Sequence, residues 1–223
     1  MQTLVPTLGA FLLGALGWTL AEYGLHRFVF HGASATRLGA KEHRLHHAQV
    51  DYFAPWWQKA LAASAATAIT LPLTIAAAGA LPGACFTSGF IAMYLAYEVL
   101  HRRAHTHAPR GAYGRWRRRN HFAHHFVDPR RAQGVSVPFW DLVFATTLPV
   151  DRVRVPRRLA MPWLVDARGE LRPAYAHDYE LVGSVRNDSQ TRRADTRAAM
   201  ENRSPETGEA PPQAPERPPT YDG

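Results

Sequence analysis

Ten of the twelve histidines in this chain fall into four short clusters. His26 and His31 form HxxxxH, and His43, His46 and His47 form HxxHH. His101 and His105 form HxxxH, and His121, His124 and His125 form a second HxxHH. Neutral imidazole is a ligand for borderline metal ions, so ten nitrogens suit two ions such as iron or zinc better than calcium or magnesium. His107 lies just outside the third cluster, as a spare ligand or a donor to one, and His177 stands alone. A lone histidine with no partner at helical spacing carries no site.

Spacing gives the clusters a geometry. On a helix, positions i, i+3 and i+4 fall within about 100° of arc. Each HxxHH should therefore point three imidazoles at one place, and His101 and His105 should share a face. His26 and His31 stand about 140° apart on an ideal helix. Their convergence requires the helix to end or unwind near Phe30, where Gly32 offers a stop. Glu22 and Glu98 precede His26 and His101 by four and three residues. Either carboxylate could accept the second ring N–H of its histidine and orient it. The alternative is a glutamate at the membrane edge reaching water or paired with a nearby arginine.

The elements that position these clusters are apolar. No charged residue occurs from Leu4 to Ala21 or from Ala60 to Tyr97, and the second run is broken by Gly79-Ala80-Leu81-Pro82-Gly83. About 20 apolar residues span a bilayer core. One helix followed by a helical hairpin is expected, three spans in all. The fold class is thus all-α integral membrane, with a helical histidine-rich cap holding a dinuclear metal site. A signal peptide is disfavoured because no basic residue precedes the first run and no small-residue cleavage site follows it. The single cysteine, Cys85, excludes an internal disulfide.

Charge sets the orientation. Arginine and lysine fill the segment between the first two helices, and thirteen arginines against three aspartates lie in 101–160. The positive-inside rule then puts the N-terminus outside and all four clusters on the cytoplasmic side. The net charge of +8 suits anionic lipid headgroups rather than nucleic acid, for which no binding motif occurs. Arg115–Arg119 is expected to be an interfacial anchor. Residues 1–183 read as one membrane-embedded domain. Residues 184–223, rich in Arg, Glu, Ser, Pro and Gln, read as a disordered tail.

With these residues in view, the chain resembles the fatty acid hydroxylase/sterol desaturase superfamily, and within it the fatty acid 2-hydroxylases. The resemblance runs from about residue 20 to 148. It rests on EYGLHRFVFH at 22–31, HRLHH at 43–47, YEVLHRRAH at 97–105, HFAHH at 121–125 and GVSVPFWDLVFATT at 134–147. It implies that the ten clustered histidines hold two iron ions, with zinc possible as purified, for O2-dependent hydroxylation or desaturation of a lipid C–H bond. It also implies a membrane lipid substrate. No cytochrome b5-like segment occurs in these residues, so electrons are expected from a separate protein of ferredoxin or cytochrome b5 type. Phe139, Trp140 and Phe144, with Phe126, Val135 and Val137, either line an apolar substrate channel or form an interfacial segment.

Rival readings remain. A carotenoid ring hydroxylase would have a wider third box than His101–His105. A membrane metal transporter or metal-binding protein would carry ionisable groups inside its spans. The Arg- and Ala-rich composition suggests a GC-rich bacterial genome, hence a bacterial inner membrane, and argues against a sterol substrate.

Overall fold

A computed structural model describes residues 4–32 and 38–183. The expected tail at 184–223 lies outside the described residues. Among those described, three helices are long and apolar enough to cross a membrane, namely α1 (Leu4–Gly24) with its continuation to Phe30, α3 (Trp56–Ala78) and α4 (Ala80–Thr106). The anticipated hairpin is present but tighter than expected. Gly79 alone separates α3 from α4, and its φ of 86° is one that L side chains rarely adopt. Pro82 and Gly83 lie in the first turn of α4, where proline removes only an N–H that has no helical partner.

Helix α4 packs against both α1 and α3. Hydrophobic burial cannot drive this contact in lipid, so small residues that let backbones approach must do so. A Cβ on Gly14 would stand 1.9 Å from the Phe86 carbonyl oxygen, and one on Gly89 2.0 Å from that of Phe11. Gly83 makes the same close approach to Ile75 of α3. Gly89→Val should therefore push α1 off α4 and cost on the order of 1–3 kcal/mol. Gly9, with nothing within 4 Å, should accept alanine without loss. Thermal unfolding in detergent, followed by circular dichroism, compares the two.

The C-terminal end of α1, the N-terminal end of α3 and the C-terminal end of α4 lie together at one end of the bundle, where α2 (Leu38–Ala48) and α5 (Gly111–Phe126) form the cap. The described chain beyond α5 adds α6 (Phe139–Val143) and a small parallel sheet that the sequence reading did not anticipate. Its strands are β1 (Val153–Pro156) and β2 (Tyr179–Val182), with Val153 opposite Tyr179. Val153, Val155, Met161, Trp163, Leu164 and Tyr179 form a core against Phe122 and Ala123 of α5. Residues 150–183 thus buttress the back of the helix that carries the fourth histidine cluster.

The arginine stretch at 115–119 is a correction. Arg117 and Arg118 are buried, not spread on a membrane surface. Arg118 donates to the carbonyls of Arg103 (2.8 Å) and His107 (2.7 Å), capping the C-terminal end of α4. Arg119 donates to the carbonyls of Val150 and Asp151. These bonds lock α4, α5 and the sheet together, and only Arg115 is left fully exposed.

Candidate metal centre

The structure brings all ten clustered histidines together, in two groups of five. His26, His31, His43, His47 and His124 form group A, and His46, His101, His105, His121 and His125 form group B. Within each group one ligand atom per residue lies within 4.8 Å of all the others. Each HxxHH box divides between the groups, instead of aiming at one point. His43 and His47, at i and i+4, go to A while His46 goes to B. In α5 the pair His121 and His125 goes to B while His124 goes to A. The 100° arc is wide enough to face two adjacent points. Each group therefore takes a pair from a spanning helix, an i/i+4 pair from one cap helix and a single residue from the other.

The HxxxxH spacing of the first box has its own explanation. Leu25–Phe30 is π-helical, and the His31 amide donates to the His26 carbonyl at 3.2 Å. An i→i+5 hydrogen bond stacks residues five apart, which an α-helix cannot do. The helix unwinds where the sequence required, by widening rather than by stopping.

The shorter Nε2 separations in group A run from 2.7 Å (His31–His43) to 3.2 Å (His47–His124), and all five donors lie within 4.8 Å of one another. In group B they are 3.0 Å for His46–His101 and 2.8 Å for His105–His121. Two nitrogens ~2.1 Å from one ion at a right angle stand ~3.0 Å apart, against ~3.4 Å at the tetrahedral angle. Donors at these spacings are close enough to share one ion within each group.

Tautomers point the same way. The Nδ1–H of His26 donates to the Gln133 carbonyl (2.6 Å), that of His124 to Arg131 (2.8 Å), and that of His46 to Tyr52 (2.8 Å). Their Nε2 atoms therefore present bare lone pairs to the group's centre. Buried His125 has no hydrogen-bond partner at either ring nitrogen. Converging lone pairs cannot satisfy one another, whereas a cation satisfies them all. Burial pushes the imidazoles of His31 and His46 down to about 4. Burial, reinforced by neighbouring histidines, holds those of His43, His47, His121, His124 and His125 well below the ordinary range. They are neutral at physiological pH, the form that binds metal.

The groups that orient the histidines are not those expected. The Glu22 carboxylate bonds a distant loop rather than a histidine. It accepts from the amides of Val135 (2.7 Å) and Ser136 (2.8 Å) and from the Ser136 hydroxyl (2.6 Å). Asp141, buried and passed over in the sequence, accepts from the amides of Gln133 and Gly134 and from the Thr146 hydroxyl. Two carboxylates thus clamp the loop 131–136, whose carbonyls at 131 and 133 hold His124 and His26. The loop is tightly built. Ala132 and Ala145 have positive φ, and a Cβ on Gly134 would stand 2.2 Å from the Val137 carbonyl oxygen. An aspartate and a glycine inside the apolar run GVSVPFWDLVFATT were the available signal.

Three further expectations are corrected. Glu98 pairs with Lys59 rather than with His101, because Lys59 at the start of α3 faces it. His107 is exposed at the end of α4 and bonds Thr106, so it neither ligates nor orients a ligand. Phe139, Trp140 and Phe144 are not among the residues that border the cavity beside the histidines. That cavity, about 210 Å³, has apolar walls from Trp18, Leu25, Phe30 and Phe53. Gln58, Lys59 and Glu98 add polar groups, and His43, His46 and His101 bring both histidine groups to its edge.

Comparisons with known proteins agree with this construction. The fatty acid hydroxylase family profile matches residues 11–146. The chain is 32% identical over 156 residues to a fatty acid 2-hydroxylase of Rattus norvegicus, covering 65% of this chain and 41% of that protein. It is 31% identical over 154 residues to the ceramide very long chain fatty acid hydroxylase scs7 of Schizosaccharomyces pombe, covering 63% and 42%. A solved structure of full-length scs7p, in which only the hydroxylase domain is visible, superimposes with a TM-score of 0.55 at 27% identity. That match covers 67% of this chain and 58% of the other. The chain spans less than half the length of the first of these relatives. From the histidine groups, the spanning helices and these matches together, the chain belongs to the fatty acid hydroxylase family.

Proposed function

We propose that this chain hydroxylates a C–H bond of a fatty acyl lipid, next to the carbonyl, at two iron ions held by histidine groups A and B. One observation carries the reading. Two five-histidine groups both reach the edge of one cavity, through His43 of group A and His46 and His101 of group B, and that cavity mixes an apolar wall with polar groups. Hydroxylation at carbon 2 requires the polar end of the lipid to reach the metals, and Gln58, Lys59 and Glu98 stand beside His101 for that purpose. An enzyme acting far along the chain would need only apolar walls at this point. The names of the relatives, fatty acid and ceramide hydroxylases, fit this position.

The cavity is bordered by α1, α3 and α4. Helix α4 packs against both of the others, and Gly39, Glu42, His43 and His46 of α2 also line the cavity. A lipid then enters sideways from the bilayer between α1 and α3, with no need to leave the membrane. Trp18, Leu25, Phe30 and Phe53 exclude water and hold the first methylenes. The Lys59–Glu98 pair offers a donor and an acceptor to the carbonyl and its substituent.

The iron ions, when bound, supply the O2 activation and one-electron chemistry that side chains lack. The overall balance consumes lipid, O2, two electrons and two protons and releases hydroxylated lipid and water. The electrons come from a separate protein of ferredoxin or cytochrome b5 type. The excess of arginine around the cap supports a site on the cytoplasmic face of a membrane, the inner membrane if the host is bacterial. Residues 1–183 suffice as the catalytic unit, with 184–223 dispensable.

Lipid mass spectrometry of a host with and without the gene tests the reading. Acyl species carrying one added oxygen should appear, with fragmentation placing the hydroxyl on carbon 2. No such species, with metal-loaded protein present in the membrane, would refute it.

A further inference from the structure

Helix α6 and the residue after it form an apolar tip. Phe139, Leu142, Val143 and Phe144 are 50%, 66%, 53% and 46% exposed. A contiguous patch of this kind on a soluble surface would invite association. The tip is held rigidly in this orientation from behind. Asp141, on the same short helix, is buried and bonded to Gln133, Gly134 and Thr146. Trp140 Nε1 donates to the Thr19 hydroxyl at 2.9 Å, and Phe144 stacks on Tyr23 with ring centroids 5.1 Å apart.

Thr19 and Tyr23 say what covers the tip, because both belong to the spanning helix α1. Counted from Leu4 at 1.5 Å per residue, they stand ~22 and ~29 Å along the helix, against a hydrocarbon core of ~30 Å. The tip therefore lies where acyl chains give way to headgroups. Leu16 and Leu20, exposed on α1, continue its apolar surface into the membrane. Two arginines flank it at the expected phosphate level. Arg27 donates to the Tyr23 hydroxyl (2.7 Å) and Arg131 to the Ala145 carbonyl (3.3 Å). An apolar side with basic residues at its rim is the pattern of an element lying in the interface.

We propose that Phe139–Ala145 is a membrane foot, inserted beside α1 at the acyl-chain boundary of the phospholipid bilayer. It is a contact additional to the three spans. It sets the depth of the loop 131–136, to which it is joined through Asp141. This inference rests on α1 crossing the membrane and not on the metal reading, so it stands or falls separately from the hydroxylase activity.

Fluorophore labelling of the full chain in phosphatidylcholine–phosphatidylglycerol liposomes tests it. On a Cys85→Ser background, single cysteines replace Leu142, Val143, Leu20 or Arg168, with thermal unfolding like the parent's as the check on folding. Labels at 142 and 143 should be quenched by nitroxide lipids several-fold more than at 168, should resist aqueous iodide, and should resemble the label at 20. Quenching of both by iodide, as at 168, would overturn the foot. Protection of both from lipid and iodide alike would also overturn it, by showing that another protein or a second copy covers the tip.

Discussion

His124→Ala and His125→Ala are each expected to abolish hydroxylation and, with one ion proposed in each histidine group, to release one ion each, but not the same one. Neighbours in sequence, they belong to different groups, His124 to A and His125 to B. Either substitution would remove one of the five nitrogens that could hold an ion in its own group and leave the other group's donors in place. Elemental analysis should fall from about two metal ions per chain to about one in each single variant. The double variant should approach zero if the remaining four donors hold metal too weakly to survive purification. His177→Ala should change neither product nor metal, since His177 is exposed and touches only Asp178. Near-normal hydroxylation by both single variants would remove the site from where the structure places it. Loss of both ions from either variant would show that the two groups bind as one unit.

Asp141→Ala will weaken one ion selectively although Asp141 touches no ligand. It holds the amides of Gln133 and Gly134, and the loop's carbonyls hold His26 and His124, both of group A. Leaving buried amides unpaired costs about 1–3 kcal/mol each. Loss of the partner that orients a ligand histidine typically costs about 10–100-fold in metal affinity or activity. Glu22→Gln should act in the same direction through Val135 and Ser136. Metal retained against a graded chelator is the readout that separates this from general destabilisation. The group A ion should be lost early and the group B ion late, because His46 of group B is held by the Tyr52 carbonyl instead. Parallel loss of both ions would reduce Asp141 to a structural residue.

Much of this chain is legible in its sequence because the physics involved is local. Charge-free runs of bilayer length set the three spans, and one histidine type at helical spacing set the ten donors. Both depend on residues within a turn or two of each other. The partition of the donors is not local. Whether His124 faces the partners of His47 or of His121 depends on how α2 and α5 are set against each other. Buried Arg118, the core around Phe122 and the small sheet fix α5 against α4, while α2 packs on the π-helical end of the first helix. Only the tertiary structure could show that His26 is oriented by a carbonyl 107 residues away. The same holds for Glu22, which sits one turn before His26 yet serves a distant loop. Its spacing was right for a histidine partner, but the amides of Val135 and Ser136 were closer. For Phe139, Trp140 and Phe144 the sequence left two readings open, channel or interface. The packing of Trp140 and Phe144 on α1, which only the tertiary structure shows, leaves the apolar side of α6 exposed and supports the interface reading.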